Sequence, residues 1–404
     1  MKINIRGSFA VVVTTAGLFA SLSIPAGAAT VKLDPILASD TQLSTTATVT
    51  SAGATFDTPF FSAAYPIYAS RTHNATVGAY GAGGSGAGQT AIMSNTADFA
   101  ASDVPLTQAN IDASSVAAGT KGTLASYVQV PVALGGVAIA FHNTAITTNK
   151  LYKANGFIVT SAILAKIYTG AITKWNDSAI CAANVKWVVK KACALPNANI
   201  TVVGRSDSSG TTYIFRDYLH TAQPLILTAA PSKSTFVTST NGFVGGSGNQ
   251  GVATNLENTN NSLGYVEYSY VLLNKSLDAA LVVNAANKAV AISQAGIAAA
   301  AATKPSVDST NFSIVNASGA TSYPISGYSW VMLRKASAAS SLAQAQLTVK
   351  LVDWLAHSAP AKSGLTFGQE VATQQGYVAL PTAAQNVTRN ALKTITYDGA
   401  QVLK

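Results

Sequence analysis

Residues 202–212, V-V-G-R-S-D-S-S-G-T-T, have the composition of a site for an oxyanion. Arg205 and Asp207 are two residues apart, so their side chains lie on one face if the preceding strand continues. Ser209, Gly210 and Thr211 open a stretch with apolar residues at helical spacing, and a helix start presents free N–H groups. An arginine fork is suited to phosphate or carboxylate. An ordinary helix cap beside a surface arginine would have the same pattern, so this segment alone leaves both interpretations open.

A glycine-rich loop follows a predicted strand at residues 80–89, Y-G-A-G-G-S-G-A-G-Q. Gly81, Gly83 and Gly86 match the G-x-G-x-x-G pattern of dinucleotide sites. The acidic residue that should end a second strand about 20 residues later is missing. An anion-binding loop with Ser85 as hydroxyl donor is therefore favoured over a dinucleotide site.

Two shorter segments add polar groups that could reach the same ligand. Residues 51–56, S-A-G-A-T-F, precede a helix predicted to begin near Pro59, and Thr55 supplies a hydroxyl group there. Asp103 stands before a proline turn. Its carboxylate would repel a fully ionised anion but would accept a hydrogen bond from a protonated one. A plain helix start and a turn aspartate remain alternatives for these two segments.

The patterns of hydrolytic and metal-dependent catalysis are missing from the sequence. It contains neither G-x-S-x-G nor H-E-x-x-H, and its four histidines are scattered without the spacing of metal ligands. No acid–base pair can therefore be assigned. We expect no enzymatic activity, no cofactor and no metal.

The first 28 residues have the pattern of a secretory signal peptide. Lys2 and Arg6 precede an apolar core, and residues 26–28, A-G-A, form a cleavage motif. No cysteine stands near that point to carry a lipid anchor. A periplasmic or secreted protein is predicted.

The charge of the chain is positive but thinly spread. It has 25 Lys and Arg against 16 Asp and Glu, a net charge of +9, and only 10% of its residues are charged. No block of five basic residues occurs, which argues against nucleic-acid binding. The balance fits a small anion better than a polyanion.

Cys181 and Cys193 are the two cysteines of the chain. In an oxidising compartment their simplest arrangement is one disulfide, which would stabilise the fold by roughly 3 kcal/mol in the chain-entropy model. A metal site is the alternative, but no histidine lies nearby and two ligands are too few.

The elements that position these residues alternate between strand and helix patterns, which predicts an α/β fold with mostly parallel sheets. Strands are expected at 77–80, 128–132, 137–141, 200–203 and 330–333. Helices are expected at 59–71, 89–95, 161–167, 211–219, 295–303 and 342–357. About 375 mature residues suggest two domains.

These motifs, in this order, resemble the extracytoplasmic phosphate-binding proteins of bacterial ABC phosphate importers. The resemblance covers nearly the whole mature chain. Its motifs are S-A-G-A-T-F (51–56), Y-G-A-G-G-S-G-A-G (80–88), D-F-A-A-S-D-V-P-L (98–106), V-P-V-A-L-G-G-V-A-I-A (130–140), L-A-K-I-Y-T-G-A-I-T-K-W-N-D (164–177), V-G-R-S-D-S-S-G-T-T (203–212), L-G-Y-V-E-Y (263–268), Y-P-I (323–325) and Y-V-A-L-P (377–381).

The resemblance implies a two-lobed type II periplasmic-binding-protein fold. Each lobe would be a mostly parallel sheet flanked by helices, with phosphate in the cleft between the lobes. Lobe I would comprise residues 45–130 and 326–404, lobe II residues 131–325, and residues 29–44 an irregular lead-in. The expected partners are inorganic phosphate and a membrane permease of an ABC importer, and the protein is expected to be a monomer.

The same resemblance assigns residues to phosphate. The expected ligands are Thr55, Phe56, Ser85, Asp103, Arg205, Ser209, Gly210 and Thr211. Asp103 would accept the phosphate proton, and Asp207 would hold the arginine.

The chain departs from the family pattern at three places. Asp57 stands where the family commonly has proline, and Gly86 replaces a serine. The segment between Cys181 and Cys193 is not a general feature of the family. Asp57 would weaken phosphate affinity if its side chain faced the cleft.

Three alternatives to phosphate transport remain at this point. Some relatives of the fold carry reported phosphomonoesterase activity, so a secreted phosphatase-like protein is one. A binder of arsenate or another oxyanion is the second, although Asp103 argues against sulfate, which carries no proton at neutral pH. A surface adhesion or structural protein is the third, since it would be compatible with the surface rich in alanine and threonine.

Overall fold

The computed structural model describes residues 42–189, 192–236, 242–360 and 363–403. The predicted signal peptide and residues 29–41 of the predicted lead-in lie outside these ranges. The strand that follows begins at Gln42, so residues 42–44 belong to a strand rather than to an irregular segment. Alternation of apolar and polar residues along this segment explains the strand, since Ala47 and Val49 are buried while Thr48 is exposed.

The strands of the described residues are β1 Gln42–Gly53, β2 His73–Gly81, β3 Phe99–Ser102, β4 Tyr127–His142, β5 Ile158–Val159, β6 Val188–Val189, β7 Ala192–Cys193, β8 Thr201–Arg205, β9 Phe243–Gly246, β10 Ser262–Glu267, β11 Asp278–Ala279, β12 Leu281–Val283, β13 Ala289–Val290, β14 Ser326–Arg334, β15 Thr396–Tyr397 and β16 Ala400–Gln401.

The helices are α1 Thr58–Ala69, α2 Ser85–Met93, α3 Gln108–Asp112, α4 Ala118–Lys121, α5 Thr144–Thr147, α6 Lys150–Asn155, α7 Ser161–Tyr168, α8 Ser178–Ala183, α9 Gly210–Ala222, α10 Gly248–Asn258, α11 Tyr268–Leu272, α12 Gln294–Ala302, α13 Leu342–Ala356, α14 Gly368–Gln374 and α15 Thr382–Leu392. Short 3-10 turns lie at Leu124–Ser126 and Val185–Trp187.

One long sheet organises the molecule, with the strand order β2-β1-β3-β14-β4-β10-β8-β9. The outer pairs β1–β2, β1–β3, β8–β10 and β8–β9 are parallel. The central strands β3, β14, β4 and β10 pair antiparallel. The α/β class is confirmed, and the carboxyl ends of β1, β3 and β8 lead into the loops that the sequence singled out.

The separate strands predicted at 128–132 and 137–141 are one strand, β4. Gly135 and Gly136, which lie between the two predicted segments, allow neighbouring side chains to pack closely against the strand and do not form a turn. A Cβ atom on Gly135 would lie 2.7 Å from the ring of Phe56, and one on Gly136 would lie 2.9 Å from the end of Ile297. β4 therefore continues from its pairing with β14 to its pairing with β10.

Helix α1 covers one end of the sheet through an aromatic face. Phe60, Phe61, Ala64, Tyr65 and Tyr68 are buried at helical spacing. The ring centroids of Phe60 and Phe61 lie 5.2 Å apart, and that of Phe61 lies 4.9 Å from that of Tyr80. This packing fixes the start of α1, where the loop of Thr55 ends.

The disulfide predicted between Cys181 and Cys193 is confirmed, with a Cα–Cα distance of 5.9 Å. It joins α8 to the short β6–β7 hairpin. Within the described ranges, none of the helices combines the length and the apolar character that crossing a bilayer requires.

Candidate anion-binding site

Four helix N-termini meet at the candidate site, those of α1, α2, α9 and α10. The backbone N–H of Gly210, the first residue of α9, donates to Ser85 Oγ of α2 over 3.1 Å. The backbone N–H of Asn249 in α10 donates to Thr55 Oγ1, before α1, over 3.0 Å. Because N–H groups and the positive ends of helix dipoles gather at such termini, the arrangement favours an anion.

Arg205 ends β8 and is 1% exposed. Its Nε and Nη2 donate to the two carboxylate oxygens of Asp207, over 2.7 and 2.5 Å. Its Nη1 donates to Thr211 Oγ1 over 3.3 Å. Burial acts to raise the pKa of Asp207, but the contacts with Arg205 and the N–H of Gly248 outweigh it and lower the pKa. Asp207 therefore stays ionised and fixes the plane of the guanidinium.

Asp103 follows β3 and is 1% exposed. Its Oδ2 accepts from Thr211 Oγ1 over 3.4 Å, and its backbone N–H donates to Ser85 Oγ over 3.1 Å. Burial raises the pKa of Asp103, while Ser329, Arg205 and Thr211 oppose that rise. Thr211 thus joins Asp103 to Arg205, two residues that are 102 positions apart in the sequence.

Ser209 and Phe56 are held by contacts of their own. Ser209 Oγ accepts from the N–H of Thr212 over 3.1 Å and caps α9. The ring of Phe56 packs against Tyr377, and the Tyr377 hydroxyl donates to the backbone oxygen of Phe56. The ring of Phe56 thus belongs to the core, which leaves its backbone N–H as the group for a ligand.

The glycine loop before α2 touches the loop after β8. Gly84 has a φ of +92°, and a Cβ there would lie 2.3 Å from Asp207 Oδ2. The N–H of Gly86 donates to the backbone oxygen of Ser208 over 3.0 Å, and a Cβ on Gly86 would lie 2.4 Å from the Ser208 side chain. The glycines therefore permit close approach between two loops.

Six of the predicted ligands are linked by hydrogen bonds, directly or through Asn249, and Phe56 and Ser209 are the chain neighbours of two of them. These eight residues are named here the anion cluster. Its members are Thr55, Phe56, Ser85, Asp103, Arg205, Ser209, Gly210 and Thr211, with Asp207 behind the arginine. The disulfide lies outside this cluster.

Asn249 is a member that sequence reasoning missed. Its Nδ2 donates to Thr55 Oγ1 over 3.0 Å and to Thr211 Oγ1 over 3.1 Å, and its Oδ1 accepts from the N–H of Glu267. A signal was present, because residues 243–250, F-V-G-G-S-G-N-Q, are a short strand followed by a polar helix start. That is the same pattern as the segment of Arg205.

Ser329 and Lys233 were also missed, and neither has a local signal. Ser329 lies inside β14, with its Oγ 3.0 Å from Asp103 Oδ1. Lys233 contacts Gln89 of α2 through its ammonium group, and burial lowers the pKa of Lys233 to about 8. Only long-range folding brings either residue to the cluster.

The donors and acceptors of the anion cluster suit a protonated tetrahedral oxyanion. Arg205, the hydroxyls and the helix N–H groups donate, and Asp103 can accept. Across the described part of the chain, no group of three His, Cys, Asp or Glu side chains is placed to hold a metal ion.

Comparison with known proteins gives the family. The model of the PBP superfamily domain matches residues 38–358. The phosphate-binding protein PstS of Xylella fastidiosa is 33% identical over 339 residues, which cover 82% of this chain and 81% of that protein. The PstS protein of Haemophilus influenzae is 30% identical over 350 residues, covering 86% and 92%.

A crystal structure of a phosphate-binding protein from Stenotrophomonas maltophilia shares the fold. It has a TM-score of 0.59 at 18% identity and covers 86% of this chain and 93% of that chain. The type II periplasmic-binding-protein fold is thereby confirmed. The chain belongs to the PBP superfamily and, within it, to the family of PstS phosphate-binding proteins.

Proposed function

We propose that this protein captures inorganic phosphate and delivers it to the membrane permease of an ABC importer. The observation that carries the proposal is the anion cluster, in which Thr211 contacts both the arginine and the buried carboxyl group. The relatives named phosphate-binding proteins support it through their similarity over most of this chain.

Each member of the cluster has a role that follows from its chemistry. Arg205 supplies the positive charge, and Thr55, Ser85 and Thr211 supply hydroxyls. Phe56 and Gly210 supply backbone N–H groups, and Ser209 supplies a hydroxyl at the same helix start. Asp103 accepts the proton of hydrogen phosphate, which is the contact that sulfate cannot make.

The ligand would be enclosed by two lobes, residues 45–130 with 326–404 and residues 131–325. β4 would be the strand that crosses between the lobes, because it pairs with β14 of the first lobe along one half and with β10 of the second along the other. Ligand contacts to both sets of loops would favour closure.

We also infer that residues 1–28 are removed as a signal peptide and that the protein works outside the cytoplasm. It would bind as a monomer and perform no chemistry on phosphate. The Nδ1 atoms of His142 and His220 bond to the backbone oxygens of Leu256 and Leu227, which are not members of the anion cluster.

Calorimetric titration with phosphate, sulfate and arsenate tests the proposal. Phosphate should bind one per chain and arsenate nearly as well, because arsenate has the same protonation pattern. Sulfate should be rejected by up to about 10⁴-fold, as expected of a site built around one hydrogen bond. Asp103→Asn should relax the rejection, because an amide can donate to sulfate. Wild-type affinities for phosphate and sulfate within about tenfold, or 1.4 kcal/mol, would refute the assignment.

A further inference from the structure

Asp57 is a buried carboxyl group with too few partners for an ion. It precedes α1 at the capping position, but its side chain makes no cap hydrogen bond. It is fully buried, its Oδ2 contacts Ser329 Oγ over 2.7 Å, and its Oδ1 has no hydrogen-bond partner among the described residues. Because a buried charge requires pairing, Asp57 is in the environment of an un-ionised acid.

Ser329 connects Asp57 to Asp103. Its Oγ lies 2.7 Å from Asp57 Oδ2 and 3.0 Å from Asp103 Oδ1. A serine hydroxyl has one hydrogen and can donate to only one of these oxygens. If both carboxyl groups were ionised, the other contact would place lone pairs against lone pairs. One carboxyl group therefore holds a proton and donates it to Ser329 Oγ.

The surroundings place that proton on Asp57. Asp103 has a second donor in Thr211, and burial raises its pKa only to about 7, because Ser329, Arg205 and Thr211 oppose the rise. The Asp57 side chain has Ser329 as its one hydrogen-bond partner among the described residues. Burial raises the pKa of Asp57 well above its ordinary value, and the charge of Asp103 adds to the rise.

Among the described residues, five further titratable groups interact with Asp57, and all five are acids. They are the Glu267 carboxyl group, itself with a pKa raised by burial, and the phenols of Tyr65, Tyr80, Tyr270 and Tyr377. A neutral acid or phenol offers no positive charge, and an ionised one would repel a carboxylate. These neighbours therefore keep Asp57 un-ionised.

We propose that Asp57 is a positioning residue for Asp103. Its un-ionised carboxyl group donates to Ser329 Oγ, and Ser329 donates to Asp103 Oδ1. Asp103 is thereby the carboxyl group of the pair that ionises first, and it faces the bound anion as the acceptor. This inference rests on the proposed function, because the role of Asp103 as an acceptor does.

Infrared spectroscopy of the whole protein tests where the proton lies, without any ligand, at a pH well above the value of about 7 to which burial raises the pKa of Asp103. An un-ionised carboxyl group has a carbonyl stretch that is separate from the carboxylate bands. The band should appear in the difference between wild type and Asp57→Asn, where the contribution of Glu267 cancels. It should not appear in the difference between wild type and Asp103→Asn. The reverse pattern would overturn the proposal.

Ligand selectivity tests what the relay does. In Ser329→Ala, Asp103 loses a donor and binds a proton more readily, so sulfate should be rejected about tenfold less, equivalent to one pKa unit on Asp103. Asp57→Asn should keep the wild-type ratio of phosphate to sulfate affinity, because its amide can still donate to Ser329 Oγ.

Ser326→Ala is the matched control, because Ser326 is a buried serine of the same strand that donates to the backbone oxygen of Tyr323 over 2.8 Å. An unchanged ratio in Ser329→Ala, or the same change in Ser326→Ala, would refute the relay. If wild type binds no phosphate, the proposed function fails, but the infrared experiment still decides whether Asp57 holds the proton.

Discussion

Arg205 illustrates how a single charge is prepared for an anion. Its side chain is almost fully buried, and two of its nitrogens donate hydrogen bonds to Asp207. The remaining nitrogen faces Thr211 and the helix start. The Arg205–Asp207 pair therefore directs one donor toward the cluster. A lysine could not do this, because its ammonium group has no plane that a carboxylate could fix.

Arg205→Ala should weaken phosphate binding by about 2–5 kcal/mol, because removing one partner of a desolvated charge pair typically costs that much. Asp207 would then lie unpaired beside an anion. Arg205→Lys should lose less affinity, since it keeps the charge without the fork. Calorimetry measures both variants, and Lys153→Ala, an exposed lysine of α6, serves as control. Wild-type affinity in Arg205→Ala would place Arg205 outside the site.

Asp57→Asn should change stability in a way that depends on pH. The folded pKa of Asp57 is raised by burial, so the folded protein keeps a proton that the unfolded chain loses above about pH 4. The contribution of Asp57 to stability is therefore fully present below that pH and is lost as pH rises toward the folded pKa.

The variant lacks this titration and should gain stability over wild type as the pH rises from about 4 to neutral. Urea unfolding at a series of pH values measures the difference. A difference between variant and wild type that stays constant with pH would contradict an un-ionised Asp57.

At the scale of elements, the local sequence pattern predicted those helices and loops whose formation depends on contacts between residues close in sequence. Proline near the start of α1 and the apolar spacing of α9 marked helices that the structure contains. The strand-loop-helix segments of Ser85 and Arg205 were recognisable for the same reason. The continuity of β4 could not be recognised from the sequence. It depends on Phe56 and Ile297, two residues from distant parts of the chain that pack over the glycine pair of β4.

The contact between the glycine loop and the loop after β8 gives an element-scale prediction. Gly86→Ser should lower the free energy of unfolding by about 1–3 kcal/mol, the usual cost of overpacking, and should weaken phosphate binding, because the new Cβ would clash with Ser208. Ser208→Gly in the same chain should restore most of the affinity. Gly119→Ser is the control, since a Cβ there meets no atom within 4 Å. Failure of the second substitution to rescue binding would show that the loops do not meet in the bound protein.

At the scale of the molecule, the residues that sequence reasoning missed are those that need the whole fold. Ser329 is 226 positions from Asp103, and Asn249 is 194 from Thr55. Contacts between residues so far apart in sequence produce no periodic pattern from which they could be predicted. The predicted ligands were identified by family motifs, whereas the residues that connect them follow from the pairing of β14 with β3 and β4.

The two proposed lobes should move together when phosphate binds. Asn249 donates twice to Thr55, so this contact joins segments assigned to different lobes. Phosphate should add a stabilisation of about 2.7 kcal/mol at a hundredfold excess over its Kd, raise the Tm and make the protein more compact.

Thr55→Val keeps the shape of the side chain but removes the acceptor of both hydrogen bonds from Asn249. It should therefore weaken phosphate binding and reduce the compaction at a given phosphate concentration. Small-angle scattering with and without phosphate measures the change, and sulfate at the same concentration is the control. Calorimetric binding without any change in scattering would show that phosphate enters a cleft whose lobes do not move.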